Sequence, residues 1–553
     1  MTFLRKPTKR RAQANQKNRN RKREKIGENA QAMSETGKLQ KAIQATIAAG
    51  YQLNSEAFEF LNAIAVTADP TMVMERALHR IEELNEKPLF IDRSFLEEII
   101  GKPETPEGTK EQPKPAETSI EEKTETPTPE GATLFQPYAK NVETDLNVIE
   151  DPTNKLTSNG TIEDYLQYFQ DRFKRLEHLL RQRIDVKAAT PIIEALKSQA
   201  KAKIKIVCMI TEKREAKQNI ILTVEDLQAS ATILVTHKSS EDLHRKAQML
   251  LPDQVVCLAV VKTRSNLFLA EDIILPEVGQ KPQHRASEPV YAVLTSDIHV
   301  GSKKFCKEPF KRFILWLQGK YGDDGMKEIA GHVKYVLIAG DVVDGVGVYP
   351  GQSKELDIRD IFTQYKALAS YIRRIPEYIE VLISPGDHDA SPKALPQPAI
   401  SQNYAGELFD SKRVHLLPDP CTVSIHGVEV LIYHGRSLID VASSVPGIGL
   451  NQACKAMKVL IQSRHLAPTY GQRTLIVPMQ RDCLVIDRVP DILHTGHLHL
   501  LKNEMYRGVL MVNSGCWQTQ TEYQEKAGIT PMPNIVPVVN LQTMQVNLLN
   551  FGT

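Results

Sequence analysis

Five apolar runs between residues 290 and 499 each end in a short turn bearing aspartate or histidine. No other feature limits the fold as strongly. "VYAVLTSDIHVGS" carries Asp297 and His299, "VKYVLIAGDVVDG" carries Asp341 and Asp344, and "YIEVLISPGDHDA" carries Asp387, His388 and Asp389. "VEVLIYHGRS" carries His434 and Arg436, and "PDILHTGHLH" carries His494, His497 and His499. Such runs read as buried strands, and their alternation with helical segments predicts an α/β layered domain over 286–553. Open α/β sheets gather functional groups at the carboxyl edge of their strands. In Asp-x-His and His-x-His, alternate residues of an extended chain point to one side, so both side chains can reach one metal pair. Mixed imidazole and carboxylate donors suit Mn, Fe or Zn better than Ca alone.

The rest of the chain divides by composition. Residues 1–35 form a basic tail, with eleven Lys and Arg against two Glu in the first thirty positions. Such a run cannot bury enough apolar surface to fold, and it attracts polyanions, so a disordered nucleic-acid tether is expected. Residues 36–100 read as a small α-helical module. One of its helices starts in "DPTMVMERALHRIEELNE", with Asp69 as N-cap and Pro70 in the first helical position. Residues 101–150 repeat Pro, Glu, Thr and Lys without apolar periodicity and predict a flexible linker. Residues 151–285 open with the helix "IEDYLQYFQDRFKRLEHLLRQR" and continue as five short β runs, with "EDLHRKAQMLL" between the third and fourth. That order predicts a five-stranded OB-fold β-barrel with a leading helix. Phe268 is its main aromatic candidate for stacking on nucleic acid, although a purely buttressing barrel is an equal expectation.

Several classes are excluded. No run reaches the ~18 apolar residues of a membrane span. The N-terminal "MTFLRKPTKRRAQ" has no apolar segment of secretory type, so a cytoplasmic location and no membrane partner are expected. Seven scattered cysteines without a CxxC pair offer neither a zinc ribbon nor a disulfide framework.

The order D-x-H, G-D-x-x-D, G-D-H-D, H-G and G-H-x-H resembles the calcineurin-like binuclear metallophosphoesterases. Taken with the helical module, acidic linker and barrel, the chain from residue 36 resembles the small subunits of archaeal D-family DNA polymerases. The resemblance implies a calcineurin-like α/β phosphoesterase sandwich and a metal-dependent 3′–5′ exonuclease with a proofreading role. It also implies a large polymerising subunit as partner, DNA 3′ ends as substrate, and a sliding clamp as a further candidate partner. Two divalent metal ions are implied, Mn first, with Mg, Fe or Zn as alternatives. Asp297, His299, Asp341 and His499 would hold one. Asp341 would bridge to the second, which Asp387, His434 and His497 complete. His388 would stand beside the metals and protonate the leaving 3′ oxygen after attack by a bridging hydroxide. Asp344, Asp389 and His494 would be supporting or turn-forming groups, and Arg436 is a candidate phosphate contact. The family pattern usually has Asn where this chain has Asp387. Two other readings stand beside the exonuclease: a weakly active or inactive scaffold subunit, and a stand-alone metallophosphatase or phosphodiesterase.

Overall fold

Strands covered on both faces are apolar at nearly every position, and this is how the runs before the Asp/His motifs are used. A computed structural model describes residues 135–153, 157–263, 267–526 and 528–552. It also describes residues 46, 52–53, 57, 60–61, 69–82, 90–91 and 95–96. The chain divides into two units, 1–128 and 129–553. No helix among the described residues is long and apolar enough to cross a membrane.

In the first unit the helix Pro70–Glu82 starts where "DPT" predicts, and Thr71 N–H donates to Asp69 Oδ1 at 3.0 Å. Val73, Met74, Ala77 and Ile81 line one face of it and pack with Ala57, Leu61 and Leu96. Gln52–Leu53 is a short strand paired in parallel with Phe90–Ile91. This short pair of strands departs from the purely α-helical module expected over 36–100. The basic tail and residues 101–134 of the expected linker lie outside the described residues.

In the second unit, two six-stranded sheets lie face to face. One has the order Val414–Leu416, Glu380–Ser384, Val333–Ala339, Tyr291–Thr295, Ile535–Asn540, Val546–Asn550, the first four parallel. The other has the order Lys502–Tyr506, Val509–Asn513, Ile492–Thr495, Val428–Ile432, Cys421–Ile425, Leu146–Glu150. Alternation along each strand divides its side chains between two cores. Ala292, Leu294, Leu337 and Leu382 meet Val430, Ile432, Ile492 and Val512 between the sheets. Val293, Val336, Ile338 and Ile383 face the opposite way, onto helices Lys307–Leu317 and Ile361–Ile372. Leu431, Leu493 and Met511 pack under helices Ser437–Ser444 and Ala453–Ser463. The result is a helix–sheet–sheet–helix sandwich.

The linker expected over 101–150 ends too late. Leu146–Glu150 pairs antiparallel with Cys421–Ile425 and forms the edge of the second sheet. Lys334 Nζ, almost fully buried, donates to the Val142 carbonyl at 2.7 Å and helps dock the segment. The misreading has a physical cause. "LNVIE" is a five-residue edge strand with one partner, and its three apolar residues make too short a run to stand out after a long polar stretch.

Strands Lys203–Ala216, Asn219–Glu225, Ser230–Val235, Val255–Lys262 and Leu267–Ile274 close a barrel in the order first, second, third, fifth, fourth. Helix Glu241–Met249 lies between the third and fourth. Phe268 is fully buried in the barrel core with Ile206, Leu222 and Leu258. It is therefore not a stacking surface: the inward phase of its strand consumes the ring.

The helix Ile162–Arg181 begins with a capping box between Thr161 and Asp164. Its Phe173, Leu176 and Leu180 pack on Val207, Met209 and Val255 of the barrel. From the same helix Arg172, wholly buried, donates to Asp482 (2.8 Å), to the Pro468 carbonyl and to Tyr168 Oη. The helix thus fastens barrel to sandwich.

Candidate metal centre

All five motifs emerge at the carboxyl ends of neighbouring strands. Three leave the first sheet, after Tyr291–Thr295, Val333–Ala339 and Glu380–Ser384, and two leave the second, after Val428–Ile432 and Ile492–Thr495. Backbone hydrogen bonds lock the turns together. Asp297 N–H donates to the Gly340 carbonyl (2.9 Å), His299 N–H to the Asp341 carbonyl (3.0 Å), and Gly496 N–H to the His434 carbonyl (2.9 Å). His497 N–H donates across the sheets to Asp297 Oδ2 at 2.9 Å. Close approach demands glycine here: a Cβ on Gly386 would lie 2.2 Å from Asp341 Oδ1, and one on Gly340 would lie 2.4 Å from His434 Nδ1.

The seven expected ligands come together. Asp341, Asp387, His434 and His497 can offer atoms all within 4.8 Å of one another, and so can Asp297, His299 and His499. Asp341 Oδ2 lies between the groups, 3.4 Å from His434 Nε2 and 3.8 Å from His299 Nε2. Asp297, His299, Asp341, His497 and His499 all have left-handed backbones, with φ between 51° and 68°. Such conformations cost on the order of 1–3 kcal/mol each and persist where the surroundings impose them.

The donor chemistry asks for cations. His434 Nδ1 donates to the Ala339 carbonyl (2.8 Å) and His299 Nδ1 to Asp344 Oδ1 (3.1 Å). In the neutral ring the other nitrogen is then a lone pair. His434 Nε2 then faces the lone pairs of Asp387 Oδ1 at 2.9 Å, whereas His299 Nε2 can accept from His499 Nε2 at 3.2 Å. Asp297 Oδ1 is buried without any hydrogen bond. Lone pairs facing one another in a buried site are repulsive unless a proton or a metal ion lies between them. The titration directions express the same demand. Burial disfavours a charged His434, but Asp341 and Asp387 outweigh it and hold the ring well above the usual range. Burial likewise opposes ionisation of Asp387, yet His497 and His434 hold it well below its usual value. The residues present fit a pair of divalent ions.

His388 stands beside both groups, its ring 4.7 Å from that of His299. Its backbone N–H donates to Asp341 Oδ1 (2.8 Å) and its Nδ1 to the Asp344 carbonyl (2.7 Å). Nε2 is therefore the nitrogen left for other work, and His388 can itself approach His299 and Asp341 at ligand distance. Burial lowers its pKa, while Asp341, Asp387 and Asp344 raise it further, for a net rise. Asp389 accepts from Gly386 N–H (2.8 Å), Val342 N–H (3.3 Å) and Tyr365 Oη (3.2 Å), tying two turns together. Its pKa is pushed up to about 6, first by burial and then by Asp341. His494 is not in either group; its Nε2 meets Ser514 Oγ and burial depresses its pKa to about 3. Arg436 lines the cleft but donates to the Lys393 carbonyl.

Sequence reasoning misses two glutamines. Gln518 Nε2 donates to Asp344 Oδ1 (3.0 Å), behind His299, and the Gln524 amide lies 2.9 Å from His499 Nδ1. Neither belongs to an apolar-run motif, so only the path of residues 517–526 over the site reveals them.

Comparison with known proteins accords with this architecture. Residues 292–500 match the DNA polymerase alpha/epsilon B-subunit family. The chain is 40% identical over 393 residues to the DNA polymerase II small subunit of Archaeoglobus fulgidus, covering 71% of this chain and 78% of that protein. The chain belongs to the archaeal DNA polymerase II small-subunit family. The small subunit of Methanothermobacter thermautotrophicus is 38% identical over 410 residues, covering 74% of this chain and 83% of that one. That of Pyrococcus horikoshii is 40% identical over 394 residues, covering 71% of this chain and only 63% of its relative's length.

Proposed function

We propose that this small subunit is a metal-dependent phosphodiesterase that trims DNA 3′ ends beside a large polymerising subunit. One observation carries the reading: seven carboxylate and imidazole donors from two sheets converge, five of them lining one cleft, with Asp341 lying between the two ligand groups. A scaffold has no physical reason to hold so many strained, buried polar groups in register. Asp297, His299, Asp341 and His499 would hold one ion; Asp341, Asp387, His434 and His497 would hold the other. A bound pair of divalent ions supplies Lewis-acid stabilisation of phosphate charge and a water acidic enough to attack at neutral pH.

The chain's own groups then do the rest. Asp344 accepts from His299 Nδ1 and, through its carbonyl, from His388 Nδ1, so one residue orients two rings. His388 keeps its proton through the surrounding carboxylates and delivers it from Nε2 to the leaving oxygen. Five strands closed in the order first, second, third, fifth, fourth support an OB reading of the barrel.

The decisive experiment incubates the purified full chain with Mn²⁺ and either an end-labelled, 3′-mismatched primer or p-nitrophenyl phosphate. Stepwise loss of nucleotides from the primer's 3′ end is expected. Preference for the small ester would make it a phosphatase, and silence on both would leave a scaffold.

A further inference from the structure

The metal centre forms only the floor of a cleft of about 640 Å³, a size that encloses whole small ligands rather than one phosphate group. Its walls are of another character. Ile439, Leu450, Leu498 and Ile529 make them apolar. A phosphate or a small alkyl ester leaves such walls unused, whereas a nucleotide presents a flat, largely apolar base on a charged backbone.

Two further lining residues stand out because no hydrogen bond or ion pair among the described residues uses their side chains. Arg473 is exposed, and its guanidinium makes no ion pair or hydrogen bond among the described residues, while Arg436 is committed to the Lys393 carbonyl. Tyr523 is 61% exposed at the rim of the cleft, so the faces of its ring are open to a ligand. Both are nonetheless fixed relative to the reacting centre. Buried Asp440 accepts from the backbone N–H groups of Arg473 (3.2 Å) and Thr474 (3.1 Å), and its helix begins three residues after His434. Tyr523 adjoins Gln524, whose amide touches His499. Each free side chain is thus tethered through one residue to a ligand-bearing turn.

We infer that Arg473 and Tyr523 grip the nucleic-acid strand: Arg473 binds a phosphate next to the one at the metal centre, and Tyr523 stacks on a nucleobase. This rests on the phosphodiesterase reading and adds the contacts that separate a nucleotide chain from a simple ester. Guanidinium–phosphate pairing and base–aromatic stacking are the two forces that hold single strands without reading sequence.

The test uses the full chain with Mn²⁺ on two substrates: an oligothymidylate, and methyl p-nitrophenyl phosphate, which has neither a second phosphate nor a nucleobase. R473A and Y523A are each expected to raise KM for the oligonucleotide about ten-fold or more, with the small ester and the metal-binding isotherm unchanged. Y523F should restore the parent value, since stacking needs the ring and not the hydroxyl. Equal losses on both substrates, or no change on the oligonucleotide, would overturn the inference while leaving the phosphodiesterase reading standing. A parent chain silent on both esters defeats that reading instead. Anisotropy of a labelled oligothymidylate then decides the grip by itself: binding weakened about ten-fold by either alanine variant upholds it, and unchanged binding ends it.

Discussion

His388 and Asp387 are adjacent in sequence but differ in what surrounds them. Asp387 Oδ1 lies 2.9 Å from His434 Nε2 and 3.1 Å from His497 Nδ1, whereas His388 is anchored through Nδ1 and its backbone with Nε2 free. Replacing His388 by alanine should leave metal titrations unaltered and lower turnover by about 10²–10⁴, the usual contribution of a general acid. Near-parent turnover would remove it from the chemistry. Replacing Asp387 by asparagine keeps an oxygen of the same reach and removes one negative charge beside the incoming phosphate. Nuclease turnover of D387N should therefore equal or exceed the parent; a ten-fold loss would give the carboxylate a role of its own. The residues that gather at the centre were legible from sequence because each follows a buried strand. The glutamines behind His299 and His499 were not, because nothing local distinguishes Gln518 or Gln524 from a surface glutamine.

Among the elements, the turns matter more than the strands. The Gly386 turn passes so near Asp341 that an added methyl would collide with both its carboxylate and its backbone, the latter at 2.6 Å. Backbone cannot give way as a flexible side chain can. G386A is expected to weaken metal binding at least ten-fold while the barrel and the sheets keep their far-ultraviolet dichroism; an unchanged isotherm would mean that the turn can shift freely. The strands themselves were readable from apolar runs, as were the barrel strands and the helix start at Asp69–Pro70. The edge strand Leu146–Glu150 was not, because pairing with Cys421–Ile425 and not its composition holds it.

The barrel and the sandwich share a buried lock spanning about three hundred residues of sequence, in which Arg172 and His465 both meet Asp482 at 2.8 Å. Ala467 N–H donates to His465 Nδ1, so Nε2 carries the hydrogen that Asp482 accepts and the neutral ring is satisfied on both sides. Burial, and then Arg172, lower the His465 pKa to about 4. An unfolded histidine protonates near pH 6.5, so the unfolded chain gains protons first as pH falls. Stability is therefore present above about pH 6.5 and falls by roughly 3 kcal/mol on the way to pH 4. Asp482 adds to the loss at the acid end, because its carboxylate, although buried, is held below its usual range by His465 and Arg172. Denaturant unfolding between pH 7 and 4 should show this slope, and H465Q should flatten it; an identical slope in the variant would place the acid sensitivity elsewhere.

Sequence by itself determined which residues could act as ligands, because an apolar run, a turn and an Asp or His are local features that follow from strand periodicity. It also set the order of barrel and layered domain, through the same alternation. Only the tertiary structure decided that three motifs leave one sheet and two leave the other, so that Asp341 lies between two ligand groups. It alone turned Phe268 into the barrel core, joined Arg172 to Asp482, and brought residues 517–526 over the histidines. The physical reason is one of range. Backbone geometry assigns a side chain to a face, but which faces meet depends on how whole apolar surfaces pack.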